Sequence, residues 1–106
     1  MYVKQVSVFL ENKKGSLTDL TRALAASGVD LIALSIADTE QYGILRCIMT
    51  DMEKGVQALK DAGYVVRITD VLAVCVPDRP GGLHDVLELL TKNDISIEYL
   101  YSFVRS

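Results

Sequence analysis

Two short segments, each built around a glycine, carry residue types that could hold a small zwitterionic molecule. Gly15 and Gly81 each precede an apolar helix-like pattern, and glycine tolerates the left-handed backbone of a tight turn. The first N–H groups of a helix lack an internal partner and lie at the positive end of its dipole, so they can bind a carboxylate. Three residues before each glycine, Asn12 or Asp78 can accept a hydrogen bond from an ammonium group.

Together these groups predict a site for the main-chain atoms of an α-amino acid. Asp30, or a strand carbonyl, is expected to be the second acceptor for the ammonium group. The predicted ligand-binding residues are Asn12, Gly15, Ser16, Leu17, Asp30, Asp78, Gly81, Gly82 and Leu83. The same residue types also suit a strand-to-helix turn that binds nothing, and this alternative stays open.

Other reactive side chains give weaker signals. His84, the only histidine, falls in the first turn of a predicted helix, where we expect a solvated side chain or a ligand contact. Tyr99 and Tyr101 share one face of a predicted strand, which suits a core, an interface or ligand stacking. Cys47 and Cys75 lie between apolar neighbours and are expected to be buried, reduced thiols. No catalytic set or metal-ligand spacing appears, so we predict a protein that is not an enzyme, with no metal and no cofactor.

Composition narrows the class of protein. Half of the 106 residues are apolar, which is enough for a core and argues against disorder. A net charge of −3 gives no footprint for nucleic acid. No apolar run reaches the roughly 20 residues of a membrane span, and the N-terminus lacks an export pattern. We therefore predict a soluble, cytoplasmic protein with neither nucleic acid nor membrane as a partner.

The chain contains an internal repeat with a constant offset of 66 residues, as from Gly15 to Gly81. The offset also matches Val8 with Val74, Leu17 with Leu83, Asp19 with Asp85, Leu24 with Leu90, Val29 with Ile95, Leu31 with Ile97 and Leu34 with Leu100. So many matches without a gap indicate two copies of one unit.

The first copy shows the patterns of four strands and two helices. Period-two alternation and turn residues predict strands near 2–10, 29–38, 43–49 and 64–69. Helical spacing predicts one helix over 17–27 and a second that Asp51 caps and Gly63 ends. The order βαββαβ predicts an α+β, ferredoxin-like fold, in which both helices lie on one face of an antiparallel sheet.

The second copy contains only the β-α-β part of this pattern. Strands are predicted over 71–76 and 95–104, with a helix between them, so the chain divides into a unit at 1–70 and an incomplete unit at 71–106. Residues 29–37 and 95–104 are apolar on both strand faces. Because neither segment suits full exposure, we expect the two units to pair or the protein to form a homodimer.

The segments Asn12–Leu17 and Asp78–Leu83 resemble the N/D-x-P-G-x-L signature of ACT domains, and the predicted fold order agrees. Lys14 replaces the proline in copy one, and Gly82 removes the capping side chain in copy two. The resemblance covers essentially the whole chain. It implies a stand-alone tandem regulatory protein of amino-acid metabolism, an allosteric sensor that binds a free amino acid and acts on a metabolic enzyme. The rival hypothesis is a protein interaction module whose ligand site is vestigial.

Overall fold

The computed structural model describes residues 1–38 and 41–103. In this part of the chain it contains four strands and three helices. Their bounds are β1 Tyr2–Glu11, α1 Ser16–Ala26, β2 Leu31–Asp38, β3 Tyr42–Met49, α2 Met52–Asp61, β4 Val66–Leu72 and α3 Gly82–Lys92.

The four strands form one antiparallel sheet in the order β2-β3-β1-β4. Alternate residues of the strands face α1 and α2, as the period of two requires, and the core lies between the sheet and these helices. The core consists of Val6, Val8, Leu10, Leu20, Leu24, Val29, Leu45, Cys47, Met49, Val56 and Leu59. The predicted ferredoxin-like fold of the first unit is thus confirmed.

The predicted cap of α2 is confirmed, whereas α1 begins at Ser16 after Gly15, with no side-chain cap. Leu20 and Leu24 are the buried residues of α1, one helical turn apart. The Asp51 carboxylate caps α2 by accepting a hydrogen bond from the Lys54 N–H at 3.1 Å. After α1, Gly28 takes a φ of 75° and the Val29 N–H donates to the Leu24 carbonyl. This bond ties Val29 to the helix end, so β2 begins two residues later than predicted.

The predicted strand at 71–76 is wrong. Residues 66–72 form one continuous strand, β4, that pairs with β1 up to the register Tyr2 to Leu72. The last backbone bond of this ladder runs from the Ala73 N–H to the Met1 carbonyl, and the described sheet offers residues 74–76 no further partner. Cys75 is therefore exposed rather than buried, whereas Cys47 is buried as predicted.

The strand predicted at 95–104 is also absent from residues 95–103, and Val104 lies outside the described residues. This segment lies over the face of the sheet opposite α1 and α2, here called the outer face, where Tyr99 and Tyr101 contact Gln5. Because it contacts side chains on a sheet face rather than a sheet edge, it forms no backbone ladder. Helix α3 packs against none of the other described helices or strands.

Apolar side chains remain partly exposed on the edge strand β2. Ile32, Leu34 and Ile36 are each close to half exposed, although the sequence predicts cover on both faces. In the described chain only β3 pairs with β2, so its outer edge is open. That a second unit or a second chain covers β2 stays a prediction.

We expect Leu24→Ala and Leu90→Ala to differ in their effect, although the two positions are equivalent in the repeat. Leu24 is only 2% exposed, so truncation leaves a cavity and lowers the free energy of unfolding by about 2–5 kcal/mol. Leu90 is half-buried on a helix that packs against no other described helix or strand, and its truncation should cost less than about 1 kcal/mol. Denaturant unfolding of both variants tests this, and equal losses would contradict the packing described for α3.

The two thiols should react at very different rates. Burial raises the pKa of Cys47 from 9.0 to about 11, and only the thiolate is nucleophilic. A disulfide reagent at pH 8 should modify Cys75 quickly and Cys47 only on unfolding, with Cys75→Ser as the control. Because the folded pKa is the higher one, the neutral thiol stabilises the fold below pH 9, and this contribution is lost as the pH rises to about 11. Rapid modification of Cys47 in the folded Cys75→Ser variant would be the contrary result.

Candidate functional site

The two strand-to-helix turns share the same backbone hydrogen bonds. In the first turn, N–H groups of Lys13, Ser16 and Asp19 donate to the carbonyls of Glu11, Lys13 and Gly15 at 2.9, 3.3 and 2.9 Å. In the second, those of Arg79, Gly82 and Asp85 donate to Pro77, Arg79 and Gly81 at 2.9, 3.0 and 3.0 Å. Every donor and acceptor is displaced by 66 residues, so the sequence repeat is also a repeat of local structure.

Left-handed glycines form the bend in both turns. Gly15 has a φ of 89° and Gly81 a φ of 86°, where side chains with a Cβ are disfavoured. A Cβ at Gly15 would meet nothing within 4 Å, so the first turn is open to an approaching molecule. A Cβ at Gly82 would overlap the carbonyl oxygen of Pro77. From the sequence, Gly82 is notable only because it lacks a capping side chain. Its close packing against Pro77 explains why a glycine occupies this position.

The sequence predicts that the N–H groups of Ser16 and Leu17, or of Gly82 and Leu83, donate to a carboxylate, and in the structure each available pair lies one residue later. The Ser16 and Gly82 N–H groups already donate within their turns. The next two N–H groups of each helix have no intrahelical acceptor, and the structure records no other acceptor for them within residues 1–38 and 41–103. These donors are the N–H groups of Leu17 and Thr18 in the first turn, and of Leu83 and His84 in the second.

A cleft of about 330 Å³ opens beside the first turn. It lies between the start of α1 and the connection from α2 to β4, and is lined by Phe9, Leu10, Glu11, Lys13, Ser16, Asp19, Ala62, Gly63, Tyr64 and Val65. The N–H end of α1 and the carbonyl end of α2 therefore border one space. Because helix dipoles favour anions at the first end and cations at the second, this cleft suits a zwitterion.

Charged side chains of the cleft form exposed ion pairs. Lys13 Nζ lies 3.2 Å from Glu11 Oε2, and Arg22 Nη1 lies 3.0 Å from Asp19 Oδ1. Exposed ion pairs of this kind contribute little stability, so a ligand can separate the two side chains of a pair at a small cost in free energy. Neither Glu11 nor Asp19 was predicted from the sequence as a site residue. The recurrence of Asp19 as Asp85 in the repeat was a signal that could have indicated Asp19.

The second turn is more closed than the first. Arg79, the repeat equivalent of Lys13, reaches forward so that its Nη2 lies 3.1 Å from Asp85 Oδ2. Its Nη1 would lie 3.9 Å from a Cβ at Gly81. The guanidinium therefore lies beside the approach to Gly81, whereas Lys13 pairs backward with Glu11 and leaves Gly15 uncovered.

The structure does not bring Asp30 together with the other predicted residues of the first turn. Its carboxylate accepts from the Leu31 N–H at 2.8 Å, and its carbonyl accepts from the Thr50 N–H at 3.0 Å. Asp30 follows α1, while Asn12 precedes it, and a helix of 11 residues is about 16 Å long. Asn12 stays near the first turn, where its N–H donates to the Gln41 carbonyl at 3.0 Å.

His84 and Asp78 do not line this cleft. His84 is solvated, with Nε2 at 3.3 Å from Glu88 Oε2, as one of its two predicted roles requires. Asp78 is exposed in the second turn.

Residues 1–38 and 41–103 contain no group of three or more side chains that could hold a metal ion. Nor does any helix in that part of the chain combine the length and hydropathy of a membrane span.

Comparisons with known proteins give one matching family model and several similar solved structures. The sequence model described as "ACT domain pair" matches residues 1–106. The crystal structure of protein BT0572 from Bacteroides thetaiotaomicron is 47% identical, with a TM-score of 0.93 over 99% of this chain and 73% of that one. The ligand-free regulatory subunit of aspartate kinase from Thermus thermophilus is 11% identical, with a TM-score of 0.71 over 96% and 80% of the two chains, and shows the same fold. No curated protein matches the sequence.

Gly15→Ala should destabilise the fold through backbone strain alone. The added methyl group meets no neighbour, but the φ of 89° costs an L residue about 1–2 kcal/mol. Gly43→Ala is the matched control, since its new Cβ would make ordinary contacts near 3.9 Å without a left-handed φ, and should be close to neutral. Denaturant unfolding measures both, and an unchanged stability of Gly15→Ala would contradict the left-handed turn.

Proposed function

Because this chain belongs to the ACT domain pair family, we propose that it is a regulatory protein that binds a free amino acid and controls a metabolic enzyme in response. The family match supports a role in regulation. The name of the structurally similar Thermus thermophilus protein, a regulatory subunit of aspartate kinase, points the same way. The proposal assigns the site to binding, with no reaction and no cofactor.

The cleft beside Gly15 is the observation that carries this proposal. A ligand carboxylate would accept from the Leu17 and Thr18 N–H groups, at the positive end of α1. Its ammonium group would lie toward the end of α2 and the carboxylates of Glu11 and Asp19, which line the cleft. Asn12, which precedes the first turn, would be a further acceptor. The two main-chain charges of an amino acid would thus meet the two opposed helix ends.

We infer that the first turn is the principal site and the second a weaker one. Gly15 has open space before it, whereas the guanidinium of Arg79 lies beside Gly81 and pairs with Asp85. A ligand at the second turn would have to displace this pair or bind around it. The proposed division into units at 1–70 and 71–106 places one turn in each.

A homodimer is part of the proposal, as is a cytoplasmic location. The open edge of β2, with Ile32, Leu34 and Ile36 half exposed, is a surface that a second copy could cover. The same exposed side chains favour the second candidate function, an interaction module without a working ligand site. In that case the edge would bind an enzyme, and no amino acid would bind.

A thermal-shift screen of the twenty amino acids tests the proposal. A ligand at 100 times its Kd stabilises the native state by about 2.7 kcal/mol, which should raise the Tm by about 10 °C. Calorimetry on variants then locates the site. Gly15→Val should weaken binding at least tenfold and Asn12→Ala by roughly 1–3 kcal/mol, while Asp30→Ala, at the far end of α1, should leave the affinity unchanged.

Each contrary outcome has a defined meaning. If no amino acid raises the Tm, the sensor proposal is wrong and the interaction module is favoured. If Gly81→Val weakens binding and a folded Gly15→Val does not, the ligand occupies the second turn. If affinity is indifferent to both changes, the amino acid binds elsewhere.

A further inference from the structure

We propose that the amino acid bound beside Gly15 has an uncharged polar side chain, and that the hydroxyl groups of Ser16 and Tyr64 select it. This inference rests on the proposed function, because it takes the same cleft as the ligand site. It adds the chemical class of the ligand and the two residues that distinguish that class. All elements that line the cleft belong to the four-stranded sheet and its two helices.

The cleft has an exposed rim and a less exposed floor. Its charged lining residues are exposed, whereas Leu10 is buried and Ser16 and Tyr64 are half-buried. We call these three residues the floor of the cleft. The main-chain groups of a ligand would meet the two helix ends, so its side chain would contact the floor, where one leucine lies beside two residues with hydroxyl groups.

The charged side chains of the rim give little preference for a charged ligand. Glu11 already pairs with Lys13 at 3.2 Å, and Asp19 pairs with Arg22 at 3.0 Å. A charged ligand side chain would therefore exchange one exposed ion pair for another, and exposed pairs contribute little free energy. Discrimination between side chains thus depends on the floor rather than on the rim.

The Ser16 hydroxyl is available to a ligand. The N–H group of this residue donates to the Lys13 carbonyl at 3.3 Å, which fixes the backbone of the turn. The hydroxyl itself has no hydrogen-bond partner in the part of the chain that the structure describes, and its oxygen is accessible to solvent. A ligand that contacts this group replaces only water.

The backbone and the ring of Tyr64 are both held in place. Its N–H group donates to the Leu59 carbonyl at 3.0 Å, at the end of α2, and its side chain packs against the core. Among residues 1–38 and 41–103, nothing forms a hydrogen bond with its hydroxyl, which is also accessible to solvent. Because the ring is already ordered, a ligand that binds the hydroxyl does not bear the entropic cost of ordering it.

Two unpaired hydroxyls suit a ligand side chain that carries a hydroxyl or an amide group. A hydroxyl can both donate and accept, so it can bind either group. An apolar side chain would displace water from both hydroxyls without replacing its hydrogen bonds. A charged side chain would lose water beside the floor without meeting an unpaired opposite charge there. The floor therefore favours an uncharged polar side chain.

Calorimetry with amino acids of matched shape tests this inference on the 106-residue chain. Threonine and valine form one set and differ by a hydroxyl group. Asparagine, aspartate and leucine form a second set, in which similar shapes differ in charge and polarity. We expect the uncharged polar member of at least one set to bind roughly tenfold more tightly than its matched partners.

Two variants test the residues. Tyr64→Phe and Ser16→Ala each remove one hydroxyl, and the first keeps the ring that packs against the core. In each variant the affinity for the polar amino acid should fall about fivefold or more, while the affinity for its apolar match stays nearly unchanged. A general loss of stability would not change this ratio. Tyr2→Phe, which removes an exposed hydroxyl outside the cleft, is the control and should behave as wild type.

Failure of this inference can be told apart from failure of the proposed function. If none of the twenty amino acids binds, both fail. If the charged or apolar member of each set binds as tightly as the polar one, the class of ligand is wrong, and the sensor proposal stands. If a polar amino acid is preferred but both variants keep the wild-type ratio of affinities, Ser16 and Tyr64 do not select it.

Discussion

The alternation of side chains along β1 is the constraint on which the rest of the structure depends. Val6 and Val8 point toward the helices and are fully buried, while Gln5 between Lys4 and Val6 points to the outer face. The strand pairs with β3 on one side and β4 on the other. A slip of one residue would exchange its two faces, placing the amide in the core and the valines on the outer face. The strand also leads into the Gly15 turn, so its register sets the position of the cleft.

Sequence patterns predicted the first unit well because its elements are locally consistent. The leucines of α1, the Asp51 cap and the glycines at the helix ends each specify a local feature that tertiary packing then uses. The second copy shows the limit of this reasoning. Residues 73–76 and 95–103 have strand-like composition, but a strand exists only where another strand offers an edge, and β propensity does not reveal the partner. The exposure of Cys75 follows from the same cause.

The candidate site was predictable only in its local part. The turn glycines and the helix start are close in sequence and lie as the residue pattern indicated. Residues 62–65 line the same cleft because the sheet brings β4 beside β1, which no spacing between them could show. Asp30 lies away from the first turn for the converse reason: it is near α1 in sequence, but the 11 residues of that helix separate it from Asn12. Hydrogen bonding within the turn, which occupies the Ser16 N–H, was likewise visible only in three dimensions.

The shared hydrogen bonds of the two turns have a consequence for how such a protein can evolve. Their geometry is stored in backbone N–H and carbonyl groups and in one glycine, while the side chains at 13 and 79 take no part in these bonds. After a duplication, the surrounding side chains can therefore drift without loss of the bend. The opposite directions taken by Lys13 and Arg79 are such a divergence. One scaffold thus gives selection two turns whose surrounding side chains can specialise independently.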